Sequence, residues 1–187
     1  GMEEMTIATW VNWKNTSSNW TRIFDFGNGT DEYMFLTPSN GSQMRFVIKH
    51  DGVEQILSAS RLQTGWHHVV VSLDENREAV LYVDGKQKGS KQMTCTPAMQ
   101  NLSRCYVGKS QFSADPLFKG NIDDLRIYNY ALSAEDIAHW YQGEPITGIQ
   151  SIEATSPSSS SSSSATIVKQ QIYSLNGALQ DGKHQGV

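Results

Sequence analysis

Three residue pairs, Asn40-Gly41, Asp51-Gly52 and Asp84-Gly85, each stand between two β-rich runs, and no helical pattern intervenes. Such pairs accept the positive φ that tight primed hairpin turns require, so the flanking runs must pair antiparallel. Asn40-Gly41 separates Tyr33-Met34-Phe35-Leu36-Thr37 from Gln43-Met44-Arg45-Phe46-Val47-Ile48, and Asp51-Gly52 separates that run from Glu54-Gln55-Ile56-Leu57-Ser58. Asp84-Gly85 joins Glu78-Ala79-Val80-Leu81-Tyr82-Val83 to Lys86-Gln87-Lys88-Gly89, just after Trp66-His67-His68-Val69-Val70-Val71-Ser72-Leu73. Further strands are expected near Thr6 to Trp13, Thr21 to Phe26, Cys105 to Gly108 and Asn121 to Tyr128. In the first of these, Ile7, Thr9, Val11 and Trp13 share one face and Ala8 and Trp10 the other. So many antiparallel strands pack as two layers, and the expected fold class is an all-β antiparallel β-sandwich. One short C-terminal helix is expected after Ser133, with Asp136 at capping-box spacing, Ile137, Trp140 and Tyr141 on its apolar face, and Gly143 at its end. It reads as a plug over one end of the sandwich.

Residues 158–164 are seven consecutive serines, which offer nothing to bury and read as a flexible linker. The chain therefore divides into a sandwich over 1–145, a Ser-rich linker over 146–164, and a short β-like tail over 165–187 that is too small to fold alone. Gly1 ahead of Met2 reads as an expression scar, with the natural start upstream. Net charge is -4 and no Lys/Arg cluster interrupts the chain, so nucleic acid is excluded as a partner. No run approaches the roughly eighteen apolar residues of a membrane span. Cys95 and Cys105 are spaced so that a disulfide could close the loop between them, and two separate thiols fit equally well.

Catalysis has no visible carrier. Glycosidases need two carboxyls flanking one bond, and Asp123-Asp124, being adjacent on a strand, point to opposite faces. Neither a Gly-x-Ser-x-Gly elbow nor a His-Glu-x-x-His helix occurs. His67-His68 puts one imidazole on each face of its strand, without obvious carboxylate support. Asp25, Asn28 and Asp31, with the glycines between them, supply the oxygens that a bound Ca²⁺ would want, or else merely build a turn. Trp20, Tyr33, Gln111, Phe112 and Asp115 sit in or beside polar loops. They offer flat rings for the apolar face of a sugar and amide or carboxylate groups for its hydroxyls, or serve as packing and rim residues. Trp10, Trp13 and Trp66 lie inside strands and read as core residues.

Taken together, several stretches carry a resemblance: Thr6-Ile7-Ala8-Thr9-Trp10-Val11, Arg22-Ile23-Phe24-Asp25-Phe26-Gly27, Gly65-Trp66-His67-His68-Val69, Leu81-Tyr82-Val83-Asp84-Gly85, and Gly120-Asn121-Ile122-Asp123-Asp124-Leu125-Arg126-Ile127-Tyr128-Asn129. On these, residues 6–141 resemble the laminin-G-like, pentraxin-type jelly-roll domains of the concanavalin A-like lectin and glucanase superfamily. The resemblance implies a concanavalin A-like jelly roll that serves as a non-catalytic carbohydrate-binding accessory module, joined to glycoside hydrolases in glycan-degrading Bacteroidetes. It adds Asp123 to the structural Ca²⁺ set. The stretches Gly27-Asn28-Gly29-Thr30-Asp31-Glu32-Tyr33 and Ser110-Gln111-Phe112-Ser113-Ala114-Asp115-Pro116 look like modules beside arabinan-cleaving enzymes. The tail is similar to C-terminal segments of secreted and cell-surface proteins, which implies a secreted, periplasmic or cell-surface location. A spacer or protein-interaction module without a sugar site is the alternative; a glycoside hydrolase would need a carboxyl pair.

Overall fold

A computed structural model describes residues 2–14, 17–144 and 146. The linker and tail expected at 146–164 and 165–187 lie outside the described residues, apart from Ile146. Two five-stranded sheets face each other. The first has the order β10-β1-β6-β7-β8, built from β1 (Met5–Trp13), β6 (Gly65–Leu73), β7 (Glu78–Val83), β8 (Lys86–Gln92) and β10 (Gly120–Tyr128). The second has the order β5-β4-β3-β2-β9, built from β2 (Phe24–Gly27), β3 (Tyr33–Thr37), β4 (Gln43–His50), β5 (Val53–Ser60) and β9 (Arg104–Val107). Every ladder is antiparallel. This is the expected β-sandwich.

Period-two side chains fill the space between the sheets. Ile7, Val11, Trp13, Val69, Val71, Leu73 and Leu81 come from the first sheet, and Phe24, Phe26, Met34, Leu36, Met44, Phe46, Ile48 and Leu57 from the second. Each such side chain, fully buried, contributes about 1.5–3 kcal/mol. Asp51 and Gly52 have φ of 48° and 75°, and Asp84 and Gly85 have 54° and 70°, so both pairs make the mirror-image turn expected of them. Asn40-Gly41 turns differently. Only Gly41 has positive φ, while the Asn40 Oδ1 accepts from the backbone N–H of Ser42 at 3.1 Å and of Gln43 at 2.9 Å.

The helix α1 (Ala134–Tyr141) starts as expected, with the Ser133 hydroxyl accepting from Asp136 N–H at 3.0 Å and donating to its carboxylate at 2.7 Å. Its position corrects the sequence reading. Ala8, Val70, Tyr82 and Tyr128 form an apolar patch on the outer face of the first sheet, and Leu132, Ile137 and Trp140 cover it, so α1 lies on a face and plugs no end. Trp66 needs a second correction: it is 49% exposed rather than buried, because strand alternation turns it outward, away from the core side that Val69, Val71 and Leu73 share. Trp13 is fully buried in the core, and Trp10 stacks on Tyr141 with ring centres 5.8 Å apart. Both cysteines are free: Cys95 is buried and accepts from the Gln55 amide at 3.2 Å, while Cys105 is exposed.

Candidate functional site

No helix covers the outer face of the second sheet among the described residues, and the outward positions there are not all polar. Tyr33, Phe35 and Val47 form a buried cluster on that face, with Trp20, Ile56 and Phe112 packed against it. Trp20, Tyr33, Phe35 and Phe112 of this cluster border a cavity of about 240 Å³, whose lining is completed by Arg22, Glu54 and Asp115. Strand parity explains the strand contribution. Tyr33 and Phe35 are two apart on β3, with ring centres 5.5 Å apart, and Asp25 is the registered partner of Phe35 on β2.

Two loops supply the rest. Trp20 precedes β2 and holds φ at 63°, a left-handed conformation that a bulky side chain adopts only under constraint. The constraints are visible: its N–H donates to Ser39 O at 2.8 Å, and its carbonyl accepts from the Arg22 guanidinium at 2.6 Å. From the segment after β9, Phe112 meets Tyr33 edge-on at 5.5 Å, and Asp115 accepts from Arg22 at 2.8 Å.

Arg22 is 2% exposed. Besides Trp20 and Asp115, its Nε lies 3.3 Å from Asp25 Oδ2, and its guanidinium carbon lies over Phe35, 3.9 Å from the ring centre. Asp25, 0% exposed, also accepts from Gln111 N–H at 3.0 Å and from the Ser110 hydroxyl at 3.3 Å. Burial pushes the Asp25 carboxyl up from its ordinary value, opposed by Gln111, Arg22 and Ser110. Burial likewise pulls Arg22 down, opposed by Asp115 and Asp25, and a guanidinium stays charged throughout. The Tyr33 hydroxyl donates to Glu54 Oε1 at 2.6 Å, and burial and the Glu54 carboxylate raise its phenol, so it remains a donor.

Of the residues singled out from sequence for sugar contact, Trp20, Tyr33, Phe112 and Asp115 all line this cavity. Gln111 does not. Its amide donates to Arg104 O at 2.8 Å and to Asp25 O at 3.4 Å, stapling its loop to the sheet. Arg22, Phe35 and Glu54 were not anticipated; outward parity relative to Tyr33 is the signal that could have found Phe35.

The expected calcium ligands do not converge. Asp25 is committed to Arg22, Asn28 Oδ1 accepts from Ser103 at 3.0 Å, Asp31 is exposed, and Asp123 stands on β10 in the other sheet with its carboxylate taking the Asp124 N–H. Asp25 stands on β2 of the second sheet and Asp123 on β10 of the first, so the two are not brought together. Among the described residues one other group gathers ligand atoms within 4.8 Å, namely Glu32, His50 and Asp51. There His50 Nδ1 lies 3.0 Å from Glu32 and Nε2 3.4 Å from Asp51. The imidazole thus stands between the two carboxylates, one at each ring nitrogen.

A laminin-G-type family model, described as Concanavalin A-like lectin/glucanases superfamily, matches residues 2–138. The chain belongs to that superfamily. No curated protein matches this superfamily member. Among solved structures, the CBM40 of a Ruminococcus gnavus sialidase, bound to α2,3-sialyllactose, is similar with a TM-score of 0.64 and 17% identity over 75% of this chain and 84% of that one. Domain 4 of an extracellular GH43 arabinanase from Geobacillus stearothermophilus, in complex with arabinotriose, gives 0.63 and 21% over 76% and 68%. A heptameric pentraxin from Limulus polyphemus gives 0.57 and 13% over 78% and 72%. Likeness at such identities is likeness of fold. No described helix of this superfamily member is long and apolar enough to cross a membrane.

Proposed function

We propose that the chain is a non-catalytic carbohydrate-binding module that holds one end of a glycan in the cavity on the second sheet. The observation that carries this is the juxtaposition of Trp20, Tyr33 and Phe112 with Asp115 and Glu54 on a sheet face that no described helix covers. Rings receive the C–H face of a sugar and carboxylates receive its hydroxyls. The cavity, about 240 Å³, falls just short of the ~300–1,000 Å³ of pockets that enclose a drug-sized molecule. A sugar ring fits, with the rest of a chain outside. The arginine beneath is held by Trp20 O and Asp115, and Tyr33 by Glu54, so the site is preformed and loses little ordering entropy on binding.

The likeness in fold to glycan-bound modules of a sialidase and an arabinanase supports this reading. By the same analogy the module works outside the cell, attached to or beside a glycoside hydrolase, on an arabinan-type plant polysaccharide. Its contribution would be proximity, raising the effective concentration of enzyme at the glycan. A glycan array followed by calorimetry tests this. Retention of a defined glycan, weakened about thirtyfold by Trp20→Ala at unchanged circular dichroism, is expected for a stacked hot-spot ring. Uniform blanks would leave the spacer module in its place.

A further inference from the structure

Resting on the carbohydrate reading, we infer that this cavity selects uncharged sugars that offer hydroxyl donors and rejects sugars that carry a carboxylate. The charge layout is the basis. Arg22 is the one cation lining the cavity, against two anions, Glu54 and Asp115. A site that recognises a carboxylated sugar needs a guanidinium or ammonium with donors to spare. Arg22 is turned to its own neighbours: Nη1 donates to Trp20 O and Nη2 to Asp115, Nε lies 3.3 Å from Asp25, and the guanidinium carbon lies 3.9 Å from the Phe35 ring centre. At 2% exposure, with two carboxylates against it, its charge is cancelled before any ligand arrives.

The groups left facing the cavity are mainly acceptors. Glu54 takes the Tyr33 hydroxyl with one oxygen and keeps the other, and Asp115 engages Arg22 and the Ser110 hydroxyl through Oδ2, leaving Oδ1. A sugar hydroxyl can donate to these oxygens, whereas a ligand carboxylate would be brought against two like charges with no cation released to offset them. The rim cations do not reverse this. Lys49 lies 5.6 Å over the Tyr33 ring with its ammonium on Thr30 O, and Arg45 lies 5.8 Å over Trp20, but neither lines the cavity itself. The two glycan-bound structures of similar fold divide on this property. One holds a sialylated trisaccharide, which is acidic, and the other arabinotriose, which is neutral. The charge layout aligns this chain with the neutral ligand.

The experiment measures binding of the full chain by calorimetry to neutral arabino- and galacto-oligosaccharides, and to sialyllactose and oligogalacturonate, at low and at high salt. Neutral ligands should bind about a hundredfold tighter than carboxylated ones. Their affinity should not change with salt, because no charge pair forms on binding. Asp115→Asn, which removes one of the two anions lining the cavity and leaves Arg22 paired with Asp25 alone, should shift the ratio toward carboxylated ligands by at least about tenfold. Glu54→Gln keeps an acceptor for Tyr33, removes the other anion, and should shift the ratio in the same direction without disturbing the Arg22 network. Tighter binding of a carboxylated sugar by the unmodified chain, lost in Trp20→Ala, would overturn the selectivity while leaving the carbohydrate reading intact. Binding of neither class would remove both.

Discussion

At Arg22 three parts of the chain meet: the loop holding Trp20, the strand holding Asp25, and the segment holding Ser110 to Asp115. Removing one partner of a buried ion pair costs more than the pair contributes, because the survivor stays buried and uncompensated. Arg22→Ala should therefore destabilise the protein by about 3–5 kcal/mol. An Arg22→Met/Asp25→Leu double variant should recover much of that loss in urea unfolding. Equal loss in the two variants would mean that the network does not act as a charge pair. The ring-bearing residues of the site were readable in sequence because Trp20, Tyr33 and Phe112 stand beside polar loops, where a buried role is least expected. Arg22 and Glu54 were not. An arginine at a strand entrance and a glutamate after a turn look like ordinary surface charges until the fold shows which face they share. Asp25 misled for a related reason: its neighbours Asn28 and Asp31 suggest a cation loop, yet the cation it faces is a side chain three residues away.

Among the elements, α1 makes the sharpest claim. It sits over His68, which is 0% exposed and has no hydrogen-bond partner at either ring nitrogen. The imidazole lies 4.8 Å from Trp140 and 5.2 Å from Trp10, ring centre to ring centre. Burial lowers its pKa to about 4 from 6.5, against the upward pull of Asp124 and Asp84 and with a smaller downward push from Arg126. Because the unfolded chain binds this proton first, stability is full above pH 6.5, declines as pH falls through the window, and is lost by about pH 4. The loss amounts to about 3 kcal/mol. Denaturant unfolding at neutral and acidic pH should show it, and His68→Leu should flatten that part of the profile; an unchanged slope would refute it. Gly85 belongs to the same contact. With φ at 70° and an added Cβ only 3.2 Å from the Tyr141 side chain and 3.3 Å from the Ala138 backbone, Gly85→Ala should cost more than about 1 kcal/mol in thermal unfolding. The capping residues of α1 were legible, since Ser133 and Asp136 signal locally. Its resting place was not, because the patch that it covers is assembled from β1, β6, β7 and β10, and no window of sequence contains it.

Across the whole molecule the two outer faces differ: α1 covers the first, and no helix among the described residues covers the second. Strand alternation made the two layers readable, and the turn pairs fixed their neighbours, but parity alone does not say which outer face is covered. The same long-range assembly decides the cysteines. Between them the chain crosses one end of the sandwich through a short 3-10 turn at Pro97–Met99, and it is tied down along the way. Ala98 N–H donates to Met2 O at 2.9 Å, the Gln100 amide to Tyr33 O at 3.0 Å and to Lys49 O at 2.7 Å, and Asn101 N–H to Glu32 at 3.1 Å. Cys95 faces inward against Gln55 and Cys105 lies exposed on an edge strand, so bridging them would break those ties. Alkylation of the folded protein should modify Cys105 alone, slowly because burial of its surroundings raises the thiol, and Cys95 only after unfolding. Reductant should leave the melting temperature where it is, whereas a disulfide closing this loop would be worth about 3 kcal/mol and its reduction would lower Tm by several degrees. Intact mass two hydrogens light before reduction would show that the segment from Cys95 to Cys105 takes another path than the one drawn by Gln100 and Asn101.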